Sequence, residues 1–414
     1  ASATRASDVQ GELSDSAGAK SSKKKKNTAL AAALKCQSEF RAYEYDMRGH
    51  VQGTVERYLE LAKKEISTLK KVATPCIDDH QLSPEDFEKK GELSAEAARI
   101  VLKALYVARL NRVDCLWTVN QLAREVTRWT VACDKRLHRL ISYLHCTQDW
   151  VQTCWVGDKP EDCHIAMYAD ASFAGDLRDS KSTSGAFVCL LGPHTFVPVT
   201  WICKKQGAVS HSSTEAEVIA LDAAVRMEGI PSLVLWDQVV ALFSSTGSNS
   251  DNESSTSPEK NGLTSALSTE QLLANVDYVP SSLPMSFGKA KLIVLEDNDA
   301  VINICIKGRS PALRHVARTH RVDLDWLFER LREDPGIKMR YIHTSEQIAD
   351  ILTKGQFTAA QWASLAEQAQ LGPSRVGKPS GEPSKGESAT IIPGDSALLH
   401  VPRMHARVQK PSCF

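Results

Sequence analysis

The stretch 165–191 constrains the fold of this chain more than any other part of the sequence. It contains two apolar runs, Ile165–Ala169 and Gly185–Leu191, separated by glycines, aspartates and a Ser/Thr cluster. This pattern predicts two strands joined by a turn. The first run leads directly into Asp170, and a carboxylate next to a core is costly unless a cation compensates its charge. Taken alone, the stretch fits a metal ligand and a solvated turn aspartate equally well.

Three later stretches place further acids at strand ends or helix starts. Ser212–Leu221 has a capping-type start followed by an apolar helical run. Leu292–Leu295 is a buried-strand run that ends in an acidic group, and Met339–Thr344 is a strand that leads to a helix start. The acids that they carry are Glu217, Asp297 and Asp350. Hard divalent cations prefer oxygen ligands, so the set predicts a site for two metal ions.

The helix start in Ser212–Leu221 leaves the choice between two glutamates open. Glu215 and Glu217 lie two residues apart and cannot face the same way on a helix. We choose Glu217 because an apolar run follows it directly, and we keep Glu215 as the alternative. Asp176 and Asp299 are interpreted as outer or solvated acids.

Six separated motifs resemble, in order, the ribonuclease H domain of copia-type LTR-retrotransposon polyproteins. They are Tyr168–Asp176, Lys181–Gly185, Trp201–Gln206, Ser212–Glu217, Asp297-Asn298 and Ala349–Lys354. The resemblance covers about residues 160–365. It implies an α/β fold, a ribonuclease H-like mixed sheet with flanking helices. It also implies an enzyme that cleaves the RNA strand of RNA–DNA hybrids by two-metal-ion hydrolysis.

The resemblance assigns roles to the acids. Asp170 would bridge two Mg²⁺ ions, with Mn²⁺ able to substitute, while Glu217 and Asp297 would hold one ion and Asp350 the other. His343, seven residues before Asp350, is a candidate for a mobile catalytic histidine, and a surface histidine is the alternative. The predicted partner is an RNA–DNA hybrid. Candidate contacts to its phosphates and 2′-hydroxyls are Lys181, Ser182, Thr183, Ser184, Lys204, Lys205, Arg309, Arg314 and Lys354.

The rest of the chain divides into four further parts. Residues 1–37 read as a disordered basic tail, residues 244–288 as a disordered insertion in the 160–365 domain, and residues 366–414 as a disordered tail. The segment 38–150 predicts a small, mainly helical module. It resembles the thumb and connection at the end of copia-type reverse transcriptase, with which the remaining domains of a polyprotein would be partners. The polymerase palm motif has no equivalent, so polymerase activity is not expected.

Composition bounds the location and the binding mode. The chain has 50 basic and 50 acidic residues, so any surface for nucleic acid must be local. The 11 cysteines form no CxxC pair, which favours an intracellular, reducing compartment, cytoplasmic or nuclear. No apolar run reaches membrane-spanning length, so we expect no membrane partner. The first residue is Ala, which fits a fragment or a processed product.

Two other functional classes stay open. A catalytically inactive or host-adopted module that still binds nucleic acid would keep the fold, although the complete acid set argues against it. A DDE-type recombinase shares the fold, but its last acid is normally a glutamate on a helix. Both are weaker than the nuclease hypothesis.

Overall fold

The computed structural model describes residues 41–176, 178–244, 286 and 288–375. The predicted tail 1–37 and nearly all of the predicted insertion 244–288 lie outside these residues. In the described part the chain is an α/β protein built on one mixed sheet.

The sheet contains eight strands. They are β1 (Arg41–Tyr45), β2 (Trp150–Val156), β3 (His164–Ser172), β4 (Thr183–Leu191), β5 (Phe196–Lys205), β6 (Leu292–Glu296), β7 (Ile337–Tyr341) and β8 (Leu371–Pro373). Their order is β1-β2-β5-β4-β3-β6-β7, and β8 pairs with β2. β3, β4 and β5 are antiparallel neighbours, whereas β6 runs parallel to β3 and β7 parallel to β6.

Eleven α-helices of the described residues surround this sheet. They are α1 (Arg48–Ala62), α2 (Pro84–Glu88), α3 (Ala97–Leu110), α4 (Val113–Arg124), α5 (Val131–Cys146), α6 (Ser213–Ala224), α7 (Ile230–Ser244), α8 (Asp299–Lys307), α9 (Val316–His320), α10 (Leu324–Glu333) and α11 (Ala359–Gln368). A π-helical turn, Val225–Gly229, joins α6 to α7, and a 3₁₀ helix, Ile348–Leu352, follows β7. None of the described helices combines the length and the apolar character that a membrane crossing requires.

Side chains of β3 alternate between two hydrophobic cores, one on each face of the sheet. Ala166 and Tyr168 pack in a core with α1, α3, α4, α5 and α11. Ile165, Met167 and Ala169 pack in the other core with α6, α7 and α10. The helical segment therefore covers one face of the sheet and shares its core. That 38–150 and 160–365 are separate domains stays a prediction.

Two element predictions at the start of the chain differ from the structure. The segment 38–150 begins with the strand β1, whose side chains alternate between exposed and half-buried positions, so the sequence lacks the apolar face that would reveal it. Apolar residues at helical spacing predict a helix over Val55–Lys70, but α1 begins at Arg48 and ends at Ala62. Lys63 then adopts a left-handed conformation with φ 51° and its N–H bonds to the carbonyl of Glu60, a helix-terminating geometry.

The predicted tail 366–414 begins too early. Residues up to Gln368 belong to α11, and β8 then pairs with β2 through Leu371 and Gly372. Beyond β8, Ser374 Oγ donates to Glu44 Oε2 at 2.7 Å, and the N–H of Arg375 donates to Glu44 Oε1 at 2.8 Å. Both ends of the described chain therefore meet beside β1.

Candidate active site

Asp170 was expected at the carboxyl end of the strand that begins at Ile165, and it lies inside β3, which continues to Ser172. Its partner in β4 is Gly185. A Cβ atom on Gly185 would lie 2.5 Å from Thr353 Cγ2, closer than real contacts allow. Glycine at this position therefore lets the chain around the 3₁₀ helix Ile348–Leu352 lie directly against β4.

Hydrogen bonds hold that segment against the strand of Asp170. Gln347 Nε2 donates to the carbonyl of Ala169 at 2.9 Å, and Thr353 Oγ1 donates to Asp170 Oδ2. The first bond connects the start of the 3₁₀ helix to β3, and the second connects its end to the Asp170 carboxylate. Asp350, between them in sequence, is thereby brought to the acid on β3.

Lys354 contacts both aspartates. Its Nζ lies 2.6 Å from Asp350 Oδ1 and 3.5 Å from Asp170 Oδ1. Burial lowers the pKa of Lys354, but the charges of Asp170 and Asp350 outweigh burial and raise it above its usual value. The ammonium group of Lys354 therefore lies against the acids, and its predicted contact with nucleic acid stays a prediction.

Burial and the charges of neighbouring acids raise the pKa of the two aspartates. The pKa of Asp350 rises to about 7, first because the carboxyl is buried and then because of the charge of Asp170. Burial also raises the pKa of Asp170, which Lys354 and the Thr353 hydroxyl oppose. Asp297, which follows β6, adds negative charge to both sites.

Glu217 approaches these aspartates from α6, which packs on the other face of the sheet. α6 begins after Ser212, whose hydroxyl accepts the N–H of Glu215 at 3.1 Å. One turn later Glu217 is buried, and it accepts a hydrogen bond from the N–H of Ala171, next to Asp170. Burial, followed by the charge of Asp170, raises the pKa of Glu217 to about 10.

Glu215 faces a different environment. Its Oε2 accepts the N–H of His211 at 3.0 Å and contacts His315 Nε2 at 3.1 Å. Burial raises the pKa of Glu215, but these hydrogen bonds outweigh burial and hold it below its usual value. The structure therefore brings Glu217, and not Glu215, to the aspartates.

A buried acid that the sequence interpretation passed over also contributes. Glu296, the last residue of β6, is fully buried, and its Oε1 accepts the N–H of Asn298 at 3.2 Å. Burial raises the pKa of Glu296 well above its usual value, and its charge in turn raises the pKa of Glu217. The only sequence signal was its place before Asp297 at the end of an apolar strand.

The chemistry of this acid cluster, Asp170, Glu217, Asp297 and Asp350, fits a hard divalent cation. All of its donors are carboxylate oxygens, which Mg²⁺ prefers. Glu217 Oε2 is buried and makes no hydrogen bond, and raised carboxyl pKa values show that Lys354 compensates the negative charge only in part. A cation would stabilise the ionised forms of these groups.

The hydrogen bonds described for His343 join it to Ser345 and not to the acids. It is exposed, its Nδ1 accepts the N–H of Ser345 at 3.2 Å, and it is 2.9 Å from the hydroxyl of the same residue. These bonds cap the short 3₁₀ turn Thr344–Glu346. The catalytic role expected for His343 stays a prediction.

The candidate nucleic-acid contacts divide into three groups. Ser182, Thr183 and Ser184 are buried at the start of β4, which begins earlier than predicted, and their contact with a hybrid stays a prediction. Lys205 forms ion pairs with Asp176 at 2.5 Å and Asp179 at 2.8 Å. A further ion pair at 3.9 Å joins Lys181 to Asp179. The exposed cations of the predicted set are Lys204, Arg309 and Arg314.

Comparison with curated proteins finds relatives of transposon origin. The chain is 34% identical over 157 residues to the retrovirus-related Pol polyprotein from transposon RE2 of Arabidopsis thaliana, and 33% identical over 157 residues to that from transposon RE1. Each match covers 38% of this chain and 10% of the polyprotein. The chain therefore spans only about a tenth of the length of these relatives.

A shorter relative comes from another source. The chain is 31% identical over 137 residues to secreted RxLR effector protein 161 of Plasmopara viticola, a match that covers 32% of this chain and 86% of that protein. No family model matches the chain, and no solved structure matches it. With relatives of 31–34% identity, the chain belongs to the family that includes the retrovirus-related Pol polyproteins of transposons.

Proposed function

We propose that the chain is a ribonuclease H-type endonuclease that cleaves the RNA strand of RNA–DNA hybrids. The observation that carries this proposal is the convergence of three acids that are far apart in sequence: the charge of Asp170 acts on both Glu217 and Asp350. Perturbed carboxyl pKa values of this kind are typical of functional sites. The mixed sheet with helices on both faces supports a ribonuclease H-like fold.

Asp170, Glu217, Asp297 and Asp350 would hold two Mg²⁺ ions. When bound, such ions supply an activated water and stabilise the leaving 3′ oxygen. The protein's own part is to hold the carboxylates in place: Thr353 orients Asp170 through its hydroxyl, and Ala171 orients Glu217 through its N–H. Exposed Lys204, Arg309 and Arg314 would supply affinity for phosphates that does not depend on sequence.

The helical segment 38–150 would correspond to the thumb and connection of a reverse transcriptase. Its packing on the same sheet supports this assignment, because a connection has to hold the nuclease in a fixed position. In a longer polyprotein the remaining reverse transcriptase domains would be its partners.

The experiment is a cleavage assay with the full chain on a labelled RNA–DNA hybrid, with RNA–RNA and DNA–DNA duplexes of the same sequence for comparison. Mg²⁺ is titrated at fixed ionic strength, because hybrid binding itself depends on salt. Asp170→Asn should lower hybrid cleavage roughly 100-fold or more while circular dichroism shows an intact fold. Asp299→Asn is the control, an exposed acid two residues after Asp297. Asp170→Asn activity above about a tenth of wild type would contradict the proposed site.

A second candidate function is hybrid binding without cleavage. It is favoured by Lys354, whose ammonium group already compensates part of the charge of Asp170 and Asp350. Retained hybrid affinity without cleavage at any Mg²⁺ or Mn²⁺ concentration would support this candidate and exclude the nuclease.

A further inference from the structure

A second cluster of metal-ligand side chains lies at the start of α6. His211, Glu215 and His315 each offer one ligand atom, and the three atoms lie within 4.8 Å of one another. His211 Nδ1 is 3.4 Å and His315 Nε2 is 3.1 Å from the same oxygen, Glu215 Oε2. The two rings meet edge to face, with centroids 4.7 Å apart.

Two segments distant in sequence form this histidine cluster, His211, Glu215 and His315. His211 precedes α6, Glu215 lies in its first turn, and His315 precedes α9. His320, the last residue of α9, approaches from the buried side, with its Nε2 3.2 Å from Glu215 Oε1. Both of these atoms are buried and neither makes a hydrogen bond. Among the described residues, imidazole nitrogens therefore lie against both oxygens of the Glu215 carboxylate.

We propose that His211, Glu215 and His315 bind a divalent transition-metal ion of the Zn²⁺ class, and that His320 positions the second oxygen of Glu215. Imidazole nitrogen and carboxylate oxygen are the ligands that Zn²⁺ takes in proteins, whereas Mg²⁺ prefers oxygen alone. Zn–N and Zn–O bonds of about 2.0–2.1 Å in tetrahedral geometry place the ligand atoms about 3.3 Å apart. The distances of 3.1 and 3.4 Å to Glu215 Oε2 lie close to this value.

A purely hydrogen-bonded cluster accounts for less of the geometry. It explains the contact between His315 and Glu215, which is a hydrogen bond at 3.1 Å. It leaves unexplained why the His211 ring, although 72% exposed, lies with its Nδ1 3.4 Å from the same carboxylate oxygen. One ion bound by His211, Glu215 and His315 would account for this contact as well.

The ion would connect the start of α6 to the segment 309–320. That segment carries Arg309 and Arg314, two of the exposed cations assigned above to hybrid binding. A metal here would hold the segment in place and would not take part in cleavage. The site is separate in ligand chemistry from the acid cluster, so it can exist whether or not the chain is a nuclease.

The test measures zinc binding to the full chain. The protein is stripped with a chelator and dialysed against Zn²⁺ in the presence of excess Mg²⁺, which fills carboxylate sites, and bound zinc is counted by elemental analysis. We expect one Zn²⁺ per chain and a higher melting temperature. With Co²⁺ in place of Zn²⁺, visible absorption of a low-coordinate nitrogen–oxygen site should appear.

His211→Ala and His315→Ala should each lower zinc affinity roughly 100-fold. Loss of a metal ligand should lower the affinity at least as much as loss of a residue that hydrogen-bonds to a ligand. His211 is exposed, so its loss should leave the fold intact. His80→Ala is the control, an exposed histidine that offers no ligand atom to the cluster. Wild-type affinity in both cluster variants would overturn the proposal. So would the absence of zinc binding by the wild type, or loss of zinc in Asp170→Asn instead.

Discussion

Glu215 and Glu217 are two residues apart on α6, and both are buried, yet the pKa of one is lowered and that of the other is raised to about 10. Burial opposes ionisation in both. Burial is the largest cause of the raised pKa of Glu217, and the charges of neighbouring carboxylates add to it. Around Glu215, N–H groups and imidazoles outweigh burial and lower the pKa. Burial and partners together therefore decide which of the two acids is ionised before any metal binds.

The acid cluster and the histidine cluster also differ in how they are assembled. The acid cluster needs β3, β6, α6 and the 3₁₀ helix after β7 to meet across the sheet. The histidine cluster needs only the 211–215 and 315–320 segments. A change that disturbs the packing on β4 should consequently affect the first cluster and spare the second.

The strongest test of this comparison exchanges the two glutamates for glutamines. Glu217→Gln should lower Mg²⁺-dependent hybrid cleavage roughly 100-fold, because an amide is a poorer ligand for a hard ion. Glu215→Gln should lower cleavage by only a few-fold but should remove zinc binding. Both variants are titrated with Mg²⁺ on the same hybrid. The opposite outcome, loss of cleavage in Glu215→Gln but not in Glu217→Gln, would place Glu215 in the acid cluster.

The next test uses the close approach at Gly185. Gly185→Ala would place a Cβ against Thr353 and Leu352, so we expect a loss of roughly 1–3 kcal/mol in the free energy of unfolding and lower cleavage. Zinc binding should stay as in wild type. Gly207→Ala is the matched control, since its Cβ would meet no atom within 4 Å. Equal unfolding midpoints in urea for the two variants would contradict the packing described here.

A third test concerns pH. In metal-free protein the pKa of Asp350 is raised from 3.8 to about 7, so between these values the folded chain holds a proton that the unfolded chain has lost. Stability should therefore fall as pH rises through this window, by roughly 1–3 kcal/mol for this group. Asp350→Asn should make the fall shallower without removing it, because Glu217, with its pKa raised to about 10, contributes over the same range. Melting temperatures at about pH 5 and about pH 8 in a chelator would show the difference. An equally steep fall in Asp350→Asn would show that other groups cause it.

The smallest expected effect is at His343. Because its ring caps a turn through Ser345, His343→Ala should lower cleavage by about tenfold or less, whereas loss of a proton-transfer group usually costs 100-fold or more. Single-turnover rates across pH would separate the two cases. A loss of about 100-fold with a changed pH profile would show that His343 exchanges protons with the substrate.

The sequence predicted the central strands well because each is a short apolar run bounded by turn residues. β4 and β6 were expected within two residues of their observed limits, whereas β3 continues three residues beyond the predicted end at Ala169. The edge strands β1 and β8 were missed: β1 has no apolar face and β8 has only three residues. Short, polar edge strands depend on a neighbour for their structure, which local patterns do not reveal.

The acid set came from motif order, and the structure brings its members together, but their functional roles stay predictions. Glu296 and the inward position of Lys354 were not foreseen, since a run of acids does not tell which of them faces the core. The histidine cluster was not foreseen either. His315 lies 100 residues after Glu215, and only the fold makes them neighbours.

The contacts of Glu44 with Ser374 and Arg375 hold the first and last described residues close together. The described unit could therefore be inserted into a loop of another protein without moving the two ends of that loop apart. For engineering, joining residue 375 to residue 41 by a short linker and opening the chain in a surface loop should give a circular permutant that keeps both clusters.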